Sequence, residues 1–284
     1  MIPIRDANPT KRFPYLTIIF IIVNIYVFFL QSSQRQIDEE FFFFNHAVIP
    51  KCFVTMFSET KYEQAKIKTK TAIKHSIAES VIIQKRMGLT LTEARKIDAL
   101  VEEKFSRKFF GIDGPLAEIM TLFSAMFIHG GIMHLIGNMW FLWIFGNNVE
   151  DDLRISRFII FYFFSGIIAS LGHIVISAAS IVPTIGASGA ISGVLGAYLL
   201  MYPNARILTF IPIGWFFWME ELPAWIFLGY WIIMQLAFGV FSQPILRGGG
   251  VAWGAHIAGF FAGVFLVIVL AGKKVKLFKT RWSL

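Results

Sequence analysis

A serine, two histidines and an asparagine have the residue types and the spacing that nucleophilic chemistry requires. Ser188 lies in the run Gly-Ala-Ser-Gly, His256 lies in Gly-Ala-His, and Asn138 follows His134 by four residues. A serine becomes a nucleophile when a histidine within hydrogen-bond reach accepts its proton. Residues four apart on a helix share one face, so His134 and Asn138 can point at the same partner. These four side chains are the candidate catalytic residues of the sequence.

Each of these residues has a simpler interpretation when it is taken alone. A serine in an apolar helix usually bonds to a carbonyl of its own helix. A lone histidine there either pairs with a backbone carbonyl or belongs to a proton path. His173, deep in an apolar run with no evident partner, fits such a structural role. The hypothesis of a catalytic site therefore depends on a fold that brings the four candidates together.

The composition indicates a membrane protein with several spans. Hydrophobic residues make up 56% of the 284 residues and charged residues 15%, whereas a soluble domain carries roughly 25% charged residues. So little polar surface cannot cover a soluble globule, and the disulfide-scaffold class is excluded because Cys52 is the single cysteine. The net charge of +8 then fits cytoplasmic anchoring residues better than nucleic-acid binding.

Long uncharged runs define the spans. Residues 119–149 and 158–205 contain no Lys, Arg, Asp or Glu, and the second run is too long for one helix. Pro183 divides it, because proline interrupts a helix. About 20 apolar residues cross a bilayer. We therefore expect an all-α polytopic membrane protein with six transmembrane helices, near residues 14–31, 131–147, 157–177, 186–202, 222–241 and 251–272.

Most of the charge is concentrated in one segment, residues 35–113, which holds 25 of the 44 charged residues. Residues 61–87 are rich in helix formers and end at Gly88. Thr90-Leu91-Thr92-Glu93 has the spacing of a capping box, and it predicts a second helix with an apolar face made of Ile97, Leu100, Val101, Phe105 and Phe109. We expect a helical hairpin. Acidic residues are interspersed with basic ones, 11 against 14, which argues against a nucleic-acid partner.

Basic residues in the short loops predict the orientation in the membrane. Lys and Arg are retained on the cytoplasmic side, and they flank the first and last spans and the 154–157 turn. Both termini are therefore expected in the cytoplasm and residues 35–113 outside. With this topology the second, fourth and sixth spans all begin at the outer boundary, which places His134, Ser188 and His256 at one depth.

Small residues on two of these spans allow close contact between them. Gly189, Gly193 and Ala197 recur every four residues on the fourth span, and an equivalent series, Ala255, Gly259 and Gly263, lies on the sixth. Such spacing lets helix backbones pack in contact within lipid. A serine and a histidine on these two helices can then reach hydrogen-bond distance.

Four blocks of the sequence resemble the rhomboid family of intramembrane serine proteases. They are HGGIMHLIGNMW at 129–140, GNNVED at 146–151, GASGAISG at 186–193 and AHIAGFFAG at 255–263. The resemblance implies a rhomboid-like six-helix bundle in which Ser188 attacks the scissile carbonyl and His256 takes and returns the proton. It also implies an oxyanion site formed by the Ser188 N–H and the side chains of His134 and Asn138, with no cofactor and no metal.

The resemblance further implies the substrates and the location. Rhomboid proteases cleave single-span or other membrane proteins near the outer end of a transmembrane segment, so the expected setting is the lipid bilayer of the plasma or inner membrane. One departure is Ser192, at which the family often carries a tyrosine that stacks on the catalytic histidine. Aromatic residues of the fifth span either gate the substrate or face lipid: Trp225, Phe227, Tyr230 and Trp231.

The expected organisation has four parts. Residues 1–34 form a cytoplasmic segment with the first span, residues 35–113 an extracytoplasmic helical insertion in the first loop, residues 114–272 the catalytic core, and residues 273–284 a basic cytoplasmic tail. The expected activity is that of an intramembrane serine endopeptidase. The alternative is a catalytically silent rhomboid-like protein that binds membrane clients, and the presence of both Ser188 and His256 favours the enzyme.

Overall fold

The computed structural model describes residues 1–34, 36–85, 90–106, 112–241 and 251–271. The elements in chain order are β1 (Ile2–Asp6), α1 (Tyr15–Ser32), α2 (Gln36–His46), α3 (Pro50–Thr55), α4 (Glu59–Lys85), α5 (Leu91–Lys104), α6 (Pro115–Ser124), a 3₁₀ turn (Ala125–Phe127), α7 (Ile132–Phe141), a π-helical turn (Leu142–Gly146), α8 (Asn147–Ile176), α9 (Ser188–Met201), β2 (Arg206–Ile213), β3 (Phe216–Pro223), α10 (Ala224–Phe241) and α11 (Trp253–Ala271).

The chain forms two compact units. The first combines residues 1–26, 129–173 and 186–284, and the second combines residues 27–128 and 174–185. The four candidate catalytic residues all belong to the first unit.

Among the described residues, three helical stretches are long and apolar enough to cross a membrane: Tyr15–Ser32, Ile132–Ile176 and Trp253–Ala271. The second contains the predicted second and third spans, and its helix is broken at Arg154, whose φ of 65° and ψ of 164° are not helical. The predicted fourth and fifth spans correspond to α9 and α10, of which α9 has only 14 residues. At 1.5 Å per residue α9 is shorter than the roughly 30 Å hydrocarbon core. The count of six spans stays a prediction.

The expected helical fold is confirmed in that the described chain is mostly helical, but it is not purely α, because three strands form an antiparallel sheet in the order β1-β2-β3. β2 and β3 pair from Arg206 with Pro223 to Ile213 with Phe216, and β1 pairs with β2. A two-residue turn joins β2 to β3, and Gly214 has a φ of 59° there. Glycine is the residue that type II′ hairpin turns carry at this first central position. The β-branched residues of β2 favour a strand, but its apolar residues do not alternate with polar ones, so the period of a half-buried strand is not evident in the sequence.

Glu150 fixes the beginning of α1. Its buried carboxylate accepts hydrogen bonds from Leu16 N (2.9 Å), Thr17 N (2.8 Å) and Thr17 Oγ1 (2.7 Å). The first N–H groups of a helix have no intrahelical acceptor and favour negative charge. The bonds therefore hold the start of α1 against the first turn of α8.

Asp6, at the end of β1, is bonded to two helices. Its Oδ2 accepts hydrogen bonds from Tyr198 Oη of α9 (2.7 Å) and from Asn148 Nδ2 of α8 (2.8 Å). Burial raises the pKa of Asp6 to about 6, and the hydrogen bonds offset only part of the desolvation. The N-terminal strand is thus anchored to the ends of α8 and α9 by a carboxyl group that ionises near neutral pH.

Helices α9 and α11 pack backbone against backbone. A Cβ added at Gly263 would lie 1.9 Å from Gly193 O, and one added at Gly259 would lie 2.2 Å from Gly189 O. Distances this short leave no room for any side chain. The small residues of the two predicted series are therefore required by the packing, and the predicted close approach of the two helices is confirmed.

The second unit contains the predicted helical hairpin. The Thr90–Glu93 capping box is formed, with both of its hydrogen bonds present, and α2, α4 and α5 share an apolar core that includes Ile97 and Val101. Ion pairs link α4 to α5, such as Lys74 Nζ to Asp98 Oδ1 at 2.9 Å. Gly88 and Phe109 lie outside the described residues.

We predict that Gly263→Ala destabilises the protein by about 1–3 kcal/mol, because the new methyl group overpacks the α9–α11 contact. The measurement is the apparent thermal unfolding midpoint in detergent at a fixed scan rate. Gly229→Ala is the matched control, since a Cβ at Gly229 of α10 meets nothing within 4 Å. An equal midpoint for the two variants would contradict the backbone contact.

We also predict that Asp6 makes stability fall as pH rises from about 4 to about 6. The folded state binds the proton more tightly than the unfolded state, whose carboxyl has the ordinary pKa of 3.8, so ionisation in this interval costs roughly 2–3 kcal/mol. Above pH 6 the contribution is constant. Asp6→Asn keeps one oxygen to accept both hydrogen bonds and should lack this component. Equal pH dependence in the two proteins, measured by unfolding midpoints from pH 4 to 8, would refute the prediction.

Candidate active site

Ser188 is the first residue of α9. Its side chain is half-buried, and its backbone N–H lies where a helix offers no intrahelical acceptor and carries partial positive charge. Ser192, one turn later, is buried and donates from Oγ to Ser188 O at 2.7 Å. The first turn of α9 is thereby tightened beneath the candidate nucleophile.

His256 lies in the first turn of α11, as the sequence predicted. Its Nδ1 is 2.7 Å from Oε1 of Gln235, which lies on α10. The rings of Trp231 and Trp253 pack beside the imidazole, with centroid distances of 6.0 and 6.1 Å. The histidine is thus held by one hydrogen bond and two indole rings.

The contact between α9 and α11 places Ser188 and His256 at the same end of the helix pair. Gly189, next to Ser188, touches Gly259, which lies one turn after His256. Within the described residues the side chain of His256 bonds to Gln235 and not directly to Ser188. Catalytic hydrogen bonds are often long in a free enzyme and shorten when substrate binds.

His134 and Asn138 lie on one face of α7, beside the segment that leads into α9. A Cβ added at Gly186 would lie 2.9 Å from His134 Nε2 and 3.7 Å from Asn138 Nδ2. Gly186 also has a φ of 111°, which favours glycine. Both side chains of α7 therefore border the backbone two residues before Ser188.

The hydrogen bonding of these two side chains suits donors aimed at the site. The Gly130 N–H donates to His134 Nδ1 at 3.4 Å, which leaves the ring proton on Nε2, the nitrogen beside Gly186. Asn138 Nδ2 is buried and has no hydrogen-bond partner among the described residues. A buried amide donor without a partner costs stability, and an unmet donor at this position is available to a ligand oxygen.

Other residues of interest take no direct part in this geometry. His173 Nδ1 is buried without a hydrogen-bond partner in the described part of the chain, and the structural role expected for it stays a prediction. Phe227 is buried against Phe145, at a centroid distance of 6.2 Å, so it does not face lipid. No group of three or more potential metal ligands occurs within the described ranges.

Sequence reasoning did not single out Gln235. An amide side chain in an otherwise apolar span is a detectable signal, because a buried amide needs a partner. The signal alone does not name that partner, because α10 and α11 are neighbours only once the bundle is formed.

Comparison with known proteins places this arrangement in a family. The Rhomboid domain profile matches residues 116–273, more than half of the chain and all four candidate residues. The chain belongs to the rhomboid family.

Several rhomboid relatives share the same region. Rhomboid protein 1, mitochondrial, of Saccharomyces cerevisiae is 32% identical over 151 residues, which are 51% of this chain and 40% of the relative. RHOMBOID-like protein 5 of Arabidopsis thaliana is 31% identical over 54% of this chain and 44% of its own. Rhomboid protease GluP of Bacillus subtilis is 34% identical over 55% of this chain and 27% of its own. The chain therefore spans less than half the length of these relatives.

We predict that Asn138→Leu does not lower the unfolding midpoint, because the lost amide donates no hydrogen bond in the described structure. Asn148→Leu is the matched comparison. Asn148 is also buried, but it bonds to Asp6, Asn8 and Asn147, and its loss should cost roughly 1–3 kcal/mol. Thermal unfolding in detergent compares the two variants, and a midpoint for Asn138→Leu as low as that of Asn148→Leu would show that Asn138 is structural.

Proposed function

We propose that this rhomboid is an intramembrane serine endopeptidase with a Ser188–His256 dyad. The main observation in support of the proposal is that α7, α9 and α11 come together near the ends at which they begin. Ser188 begins α9, His256 lies in the first turn of the packed helix α11, and an unbonded amide donor, Asn138 Nδ2, borders the approach to Ser188. Family membership supports the same chemistry.

The first half of the reaction forms an acyl enzyme. Ser188 Oγ attacks the carbonyl carbon of the scissile peptide while His256 Nε2 accepts the hydroxyl proton. The negative charge that develops on the carbonyl oxygen is stabilised by the Ser188 N–H, by His134 Nε2–H and by Asn138 Nδ2–H. The imidazolium then donates its proton to the departing amine as the C–N bond breaks.

The second half releases the acyl group with water. His256 accepts a proton from the water as its oxygen attacks the ester carbon, and then returns it to Ser188 Oγ. Water must therefore reach the site. The proposal therefore requires that water enters from the end of the bundle at which α9 and α11 begin.

The orientation and the substrate are part of the proposal. Arg157 bonds to the last residue of α11 and Arg206 follows the end of α9, so both lie toward the opposite end of the bundle from Ser188, and basic residues are retained in the cytoplasm. The site then faces the extracytoplasmic side of a cell membrane. The substrate class is the transmembrane segment of another membrane protein, cleaved near its outer end.

We predict that a fluorophosphonate probe labels the detergent-solubilised protein at Ser188. Ser188→Ala should abolish labelling and lower cleavage of a model transmembrane substrate by more than ~10³-fold, because only the oxyanion donors and substrate binding then remain to support the reaction. His256→Ala should slow labelling strongly. Ser165→Ala is the matched control, since Ser165 is a buried serine of α8 whose Oγ has no hydrogen-bond partner in the described structure.

The possible outcomes separate the enzyme from its alternative. Cleavage that persists in Ser188→Ala contradicts the dyad, and a wild type that binds the membrane substrate without cleavage or labelling identifies a silent client-binding protein. Asn138→Leu should lower turnover by about 100- to 1000-fold, the usual cost of losing one oxyanion donor. Unchanged turnover would remove Asn138 from the oxyanion site while leaving the dyad intact.

A further inference from the structure

Gln235 is the buried amide that bonds to the candidate base. It lies midway along α10, its residue is 7% exposed, and its Oε1 is 2.7 Å from His256 Nδ1. This distance is short for a hydrogen bond between nitrogen and oxygen. Removing an amide from water without a partner is costly, so the side chain is stabilised in the span by this bond.

The direction of the bond determines where the imidazole proton lies. An amide oxygen has no proton to donate, so the bond runs from His256 Nδ1–H to Gln235 Oε1. In a neutral imidazole the other nitrogen, Nε2, is then an acceptor. That is the form of the ring that can take a proton from a serine hydroxyl.

No other described side chain fulfils this role. Ser192 bonds to Ser188 O and does not hold the ring. The indoles of Trp231 and Trp253 limit its tilt, but an indole ring face does not choose between the two tautomers. Among the described hydrogen bonds, the choice rests with Gln235.

We infer that Gln235 is a positioning residue that holds His256 with its proton on Nδ1 and Nε2 free to act as the general base. The inference rests on the proposed protease function. In this arrangement a neutral amide oxygen accepts the Nδ1–H hydrogen bond that a carboxylate accepts in a Ser–His–Asp triad. Gln235 contacts neither the substrate nor the nucleophile, and acts only through His256.

The test compares two replacements of similar size. Gln235→Met removes the acceptor and should lower kcat while KM stays unchanged. The expected loss in kcat is at least about tenfold, and its upper limit is the roughly 10²–10⁴-fold that a general base contributes. Gln235→Glu restores an acceptor and should recover most of that loss. A carboxylate also stabilises the protonated ring, so the acid limb of the pH profile of kcat/KM should move to higher pH in Gln235→Glu. A purely structural role would not move that limb.

Asn24→Leu is the matched control, because Asn24 is another buried amide in a span and bonds to Phe20 O of its own helix at 2.7 Å. It should leave kcat and the pH profile unchanged. Gln235→Met with wild-type kcat, or Gln235→Glu as inactive as Gln235→Met with no change in the pH limb, would overturn the inference.

A measurement on the wild type keeps the inference testable if the variants misfold. Nitrogen-15 NMR of ring-labelled histidine, assigned with His256→Gln, reports which ring nitrogen is protonated at neutral pH. A proton on Nδ1 supports the inference and a proton on Nε2 overturns it. Failure of the proposed function looks different: the wild type itself then shows no cleavage that depends on Ser188.

Discussion

The backbone contact between α9 and α11 is the constraint on which the rest of the first unit depends. Gly193 and Gly263 meet with no space for a side chain, as do Gly189 and Gly259. Lipid supplies no hydrophobic drive for helices to associate, so close van der Waals packing must supply it. The contact holds two helices whose first turns carry Ser188 and His256. The same surface therefore provides both stability and the relative position of the two candidate catalytic residues.

A polar network stabilises the opposite end of this bundle. Glu150 caps α1, Asp6 joins β1 to α8 and α9, and Arg157 Nη1 donates to the last residue of α11 at Ala271 O, 3.1 Å away. Each bond satisfies a backbone or side-chain group at a helix end that would otherwise be unpaired. With one end fixed by polar contacts and the middle by glycine contacts, the packing of the bundle does not depend on a hydrogen bond from Asn138 at the site end. That division explains why Asn138 keeps an unbonded donor there.

The sequence predicts those features that depend on one helix or on a repeated spacing. The helix starts before His134, Ser188 and His256, the small-residue series and the Thr90 capping box all follow from local rules. The three-stranded sheet does not, because β1 and β2 lie about 200 residues apart in the chain and only the folded bundle brings them together. The bond from His256 to Gln235 is missed for the same reason. An amide in a span indicates that a hydrogen-bond partner lies nearby, but the identity of that partner depends on which helices become neighbours.

The choice of an amide beside His256 follows from where the site is built. A buried carboxylate must be desolvated, which costs several kcal/mol unless further donors surround it, and within the described residues no such donors surround Gln235. A neutral amide oxygen fixes the same tautomer without bringing a charge into the bundle. The cost is electrostatic, since an amide stabilises the imidazolium less than a carboxylate does. The proposed oxyanion donors, His134, Asn138 and the Ser188 N–H, must then provide a larger share of the transition-state stabilisation, which gives a physical reason for holding an unpaired amide at Asn138.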